Sequence, residues 1–118
     1  MNETEFKDRT RQIALRVMRM VESLKPSKVT DVISRQLLRS ATSVGANYRA
    51  ACRAKSTADM IAKLSIVEEE ADESLYWLEL LVDAELVSQS QVGQLQNDVN
   101  EVLSMIVASI RTLRRKKP

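Results

Sequence analysis

The sequence predicts an all-α protein, an antiparallel up-down four-helix bundle. Three observations carry that expectation. Four stretches repeat apolar residues at steps of three and four. Glycine and proline occur only twice each in 118 residues, and only four residues are aromatic. With 29% charged residues and an apolar content dominated by Leu, Ile, Val, Ala and Met, this vocabulary belongs to helices rather than strands. The length suits one domain over residues 1–118, enough chain to bury roughly 65% of its unfolded surface.

The first helix is expected at about 4–24, with Phe6, Ile13, Val17, Met20, Val21 and Leu24 near one face. "KPSKVT" ends it, because Pro26 lacks a donor and disfavours helix at Lys25. Thr30 reads as the N-cap of a second helix, at about 31–54, opened by Asp31. Its core stripe is Ile33, Leu37, Ala41, Val44, Tyr48 and Ala51, the spacing of an amphipathic helix. At 100° per residue, Arg35, Arg39, Arg49 and Arg53 share an arc of about 80° on the opposite side. Gly45 costs this helix roughly 1 kcal/mol against Ala, which points to close packing by a neighbour.

Ser56 and Asp59 open the third helix, at about 57–85, as a weaker form of the capping box. Met60, Leu64, Val67, Ala71, Leu75, Leu78 and Val82 make its core stripe. A second stripe, Ile66, Trp77 and Leu81, lies roughly 120° away. A helix with two apolar faces touches more than its own bundle needs, so Ile66, Trp77 and Leu81 are expected at a subunit contact. Ser88 and Gln91 form another capping box and open the fourth helix, at about 89–115. Its stripe is Val92, Leu95, Val99, Val102, Leu103, Ile106, Ile110 and Leu113, and its basic end, Arg114 to Lys117, suits the negative end of a helix dipole. Short connections between long helices favour antiparallel neighbours.

The net charge of +2 conceals a segregation of sign. Residues 32–58 hold Arg35, Arg39, Arg49, Arg53 and Lys55 with no acid, whereas 64–110 hold ten acids with no Lys or Arg. The tail from Arg111 adds five basic residues. Such asymmetry speaks of partners. The lone Cys52 excludes an internal disulfide and fits a reducing compartment. The longest uncharged apolar run, "VLSMIVASI" at 102–110, is far short of the ~20 residues a membrane span needs. A soluble, cytoplasmic protein with no membrane partner is expected.

Enzymatic chemistry finds few footholds. The absence of histidine rules out Ser-His-Asp, Cys-His and Glu-x-x-His di-metal arrangements. Gly45 and Gly93 alone make neither a P-loop nor a dinucleotide fingerprint. No enzyme, cofactor or metal is therefore expected, although Glu69 and Glu73 stand four apart and could share a hard cation. Cys52 reads as a buried inert thiol. Ser40, Ser43 and Asn47 form a polar seam suited to hydrogen bonds with backbone or a neighbouring helix.

Residues 36–86 carry a resemblance. "QLLRSATSVGANYRAACRAKS" (36–56) and "EADESLYWLELL" (70–81) resemble the second- and third-helix signatures of the intervening-sequence proteins. These are small bacterial four-helix bundles named after inserts in 23S ribosomal RNA genes. Ala41 stands where the family pattern has Gly, and "VEEEA" is more acidic than its usual run. The resemblance implies a ring-shaped homopentamer. It also implies kinship with the accessory variability proteins of diversity-generating retroelements, basic pentamers that bind nucleic acid and a reverse transcriptase. Two functions stay open. One is an accessory module holding the RNA or DNA backbone through Arg35, Arg39, Arg49, Arg53, Lys55, Arg114 and Arg115. The other is an oligomeric scaffold that recruits a protein partner, with these arginines solvated or paired across subunits.

Overall fold

The computed structural model describes residues 2–116, and Lys117 lies outside them. Four helices follow one another: α1 (Glu3–Glu22), α2 (Lys28–Cys52), α3 (Thr57–Asp83) and α4 (Gln89–Lys116). They form a bundle 51 Å long and 22 Å across. Among the described residues there is no strand. The α2–α3 contact is the most extensive and the α1–α4 contact the least.

Each end has an identifiable cause. Asn2 caps α1 by accepting the Glu5 N–H at 2.8 Å. The helix stops two residues earlier than expected, where the Ser23 hydroxyl donates to the Met20 carbonyl at 2.6 Å and Pro26 lies ahead. α2 begins earlier than expected. Its cap is Ser27, not Thr30: the Ser27 Oγ accepts the Thr30 N–H at 3.0 Å. Pro26 precedes this cap, where its missing N–H costs nothing, and Thr30 is free to be buried inside the first turn.

Ser56 caps α3, accepting the Asp59 N–H at 3.0 Å. The Asp59 carboxylate accepts the N–H of Lys55, one residue before the usual partner in a full capping box. α3 closes in a Schellman motif. The Leu86 N–H reaches the Leu81 carbonyl and the Glu85 N–H the Val82 carbonyl, both at 2.9 Å, with Glu85 left-handed at φ 61°. At the start of α4, Ser88 and Gln91 form the reciprocal box, their two bonds 2.7 and 3.3 Å long.

The expected stripes meet in one core led by Ile13, Leu37, Leu64, Leu78, Val102 and Ile106. α3 departs at its last turn: Leu81 is fully buried whereas Val82 is only half-buried. The buried stripe takes the 78→81 step rather than the 78→82 step at this end, beside the Schellman turn that leads to the buried Val87. Gly45 is the close approach that its cost suggests, because a Cβ there would lie 3.2 Å from Thr10 Oγ1. Ser40 and Ser74 join α2 to α3 inside the core at 2.9 Å. Ser43 and Asn47 bond to backbone carbonyls one turn earlier, so the polar seam is satisfied within the chain.

Candidate functional site

Antiparallel packing brings the C-termini of α2 and α4 to the same end of the bundle as the N-termini of α1 and α3. Arg49, Arg53 and Lys55 arrive there from α2 and its turn, and Arg111, Arg114, Arg115 and Lys116 from α4. All of them are exposed. None is in an ion pair among the described residues. Two nearby carboxylates are already engaged. Lys63 holds Asp59 at 2.7 Å, and Lys7 holds Glu3 at 3.0 Å. The Lys63 bond, then the Lys55 N–H, keeps Asp59 below the usual carboxylate range, and Lys7 does the same for Glu3. The cations at the two helix C-termini also sit where the backbone dipole favours positive charge.

The other two arginines of the expected stripe are not with them. Arg39 reaches α3 of its own chain, with Nη1 3.2 Å from Glu70 and Nη2 2.6 Å from Glu73. These bonds, Glu73 first, raise its pKa further. Arg35 pairs with Asp31 one turn earlier. The stripe is therefore divided, with one half neutralised within the protomer and the other open at the basic end. Glu73, bound to Arg39, is not free to share a cation with Glu69. Among the described residues, no three Asp, Glu or Cys side chains gather as a metal would require.

The apolar candidates also separate. Leu81 cannot serve a subunit contact, because it is fully buried in its own bundle. Trp77 is half-buried against the core, its indole N–H enclosed without an acceptor among the described residues. Ile66 is 41% exposed. Sequence reasoning missed Tyr76, which is 52% exposed and meets Trp77 edge-on at 5.0 Å. Its position gave the signal: at 100° per residue, Tyr76 falls between Glu69 and Asp72 on the face opposite the core stripe.

Cys52 is half-buried, and burial pushes its thiol above its ordinary range despite a counteracting bond with the Tyr48 hydroxyl. A thiol held protonated is a poor nucleophile. The Tyr48 ring packs on Phe6 at 4.4 Å, so no free aromatic ring from this pair stands at the basic end.

The family model of the 23S rRNA-intervening sequence proteins matches residues 2–108. The chain belongs to that family. A crystal structure from Bacteroides thetaiotaomicron, described as a protein of unknown function from the S23 ribosomal protein family, is 38% identical. The alignment covers 94% of this chain and 99% of that one, with a TM-score of 0.86. No curated protein matches the chain. The family match stops short of Arg111, so the α4 half of the basic end lies beyond the matched span.

Proposed function

We propose that this intervening-sequence protein is a non-enzymatic accessory module that holds nucleic acid by its phosphate backbone, working as a ring-shaped homopentamer in the cytoplasm. The observation that carries the reading is the convergence of Arg49, Arg53, Lys55, Arg114 and Arg115 on one end of the bundle. Arginine matches phosphate with a planar fork of donors. Among the described residues no exposed ring there offers a stacking platform, which disfavours readout of splayed single-stranded bases. Phosphate contacts alone give sequence-tolerant, salt-dependent binding. A ring of five copies multiplies the charge. Arg39 contributes less, since Glu70 and Glu73 meet its charge within the protomer, and Arg35 lies in the first half of α2, away from the basic end.

Retention of duplex RNA or DNA across a salt series tests this. On DNA, log affinity should fall against log salt with a slope of about −0.9 per phosphate neutralised. The double variant Arg114→Glu/Arg115→Glu should flatten the slope by about two per engaged subunit, whereas Arg35→Glu should leave it nearly unchanged. Equal retention by the parent and the double variant would reject the reading. The second reading, a scaffold that recruits a protein, draws on Val29 and Val32, each 56% exposed and neighbours on one face of α2. It predicts background retention even at low salt.

A further inference from the structure

An open groove of about 650 Å³ runs between α1 and α2 on the outside of the bundle. Ala14, Gly45 and Ala46 keep its floor low, and Lys7, Arg11 and Arg49 stand on its rim together with Asp8. Arg11 touches Asp8 at 3.6 Å and Lys7 touches Glu3 at 3.0 Å; both pairs are open to water and easily exchanged. Arg49 has no carboxylate partner among the described residues.

The outward face of α3 has the opposite character. At 100° per residue Glu69, Asp72, Tyr76 and Asp83 share an arc of about 60°. All four are exposed, and none of these acids pairs with a cation among the described residues. Glu79 and Ile66 border the same face. The lengths also correspond. At 1.5 Å per residue the groove spans roughly 21 Å from Thr4 to Met18, and the face roughly 26 Å from Ile66 to Asp83.

We infer that the acidic outward face of α3 in one copy docks into the basic α1–α2 groove of a second copy of this chain, an inference that rests on the assembly reading above. Tyr76 lies over the small-residue floor, and the acids on either side of it meet Lys7, Arg11 and Arg49. The two surfaces are different patches of the protomer, so the contact is head-to-tail. Each copy offers its groove to one neighbour and its α3 face to the next, and the assembly closes if the rotation closes.

Charge exchange on the full chain tests this, with mass read by light scattering and helicity by circular dichroism. Arg11→Glu/Arg49→Glu and Asp72→Arg/Glu79→Arg should each bring the mass of the assembly down toward the 13.3 kDa protomer. All four changes in one chain should restore the assembly, because the exchanged charges at positions 72 and 79 then meet exchanged charges of opposite sign at positions 11 and 49. Tyr76→Arg provides an independent probe of the same contact and should also lower the mass. If the parent assembles while the paired variants and Tyr76→Arg keep its mass, the contact lies elsewhere. That result overturns this inference and leaves the assembly reading standing. Disruption by each pair without restoration by all four also overturns the pairing of these two faces. A parent at 13.3 kDa at micromolar concentration overturns both readings.

Discussion

Glu85 holds φ at 61° to close the Schellman motif after α3. A side chain in the left-handed region costs roughly 1 kcal/mol that glycine avoids. Glu85→Gly should therefore raise the melting temperature by roughly 4 °C, and a lower one would refute the strain. The glycines make a matched pair. A Cβ on Gly93 would meet only Gln89 Nε2 at 3.8 Å, so Gly93→Ala should gain the full helix preference of about 1 kcal/mol. A Cβ on Gly45 would press on Thr10, whose hydroxyl is fixed by its bond to the Lys7 carbonyl at 3.0 Å. Gly45→Ala should gain less than Gly93→Ala in denaturant unfolding, and an equal gain would contradict the close approach. That Gly45 faces a neighbour was legible in the sequence, since a helix interior rarely keeps glycine without cause. The neighbour's identity was not, because Thr10 is distant along the chain and carries no sequence mark.

At the scale of elements, α1 and α4 make the least extensive contact, and ions tie them together. Arg9 donates to Glu101 at 2.9 Å, and Arg16 pairs with Asp98. The Arg9 bond, then its charge, keeps Glu101 below the usual carboxylate range. A folded-state pKa below the unfolded one contributes stability above the unfolded value, and that contribution is lost as pH falls through the folded value. The α1–α4 seam should therefore loosen below about pH 4. Hydrogen-exchange protection of α1 should fall there before that of the central turns of α3, and Glu101→Gln should blunt the difference. Loss of protection in both helices together would refute a seam held by charge. The four helices were readable from their stripes and caps, whereas the start of α2 was misplaced by three residues. Ser27 and Thr30 both suit an N-cap, and only the burial of Thr30 against the packed helices chose between them.

The whole molecule is a rod with a cationic end. Charge reversal at Arg114 and Arg115 should change nucleic-acid retention while costing on the order of 1 kcal/mol of stability, because both side chains are exposed and lose only the favourable helix-dipole position of the last turn of α4. A large loss of stability would mean that these side chains hold the fold rather than a ligand. Arg49 has a double place, at the basic end and on the rim of the α1–α2 groove. Its reversal should disturb retention and assembly together, whereas reversal of Arg114 and Arg115 should disturb retention alone.

The sequence by itself determined the all-α class, the helices and nearly all of the core, because those follow from local preference and from a 3.6-residue period that neighbouring residues express together. It also marked the basic residues that α2, its following turn and α4 bring to the cationic end. Tertiary structure alone decided which of them remain available. Glu70 and Glu73 lie more than thirty residues from Arg39 and engage it only because α3 packs antiparallel on α2. Arg49 and Arg114 are more remote still in the chain, yet the same antiparallel order gathers their helix ends. Leu81 likewise read as part of a subunit contact, and the packing of the bundle buries it fully. Periodicity shows which face of a helix is apolar. The identity of the group opposite each side chain depends on how distant segments pack.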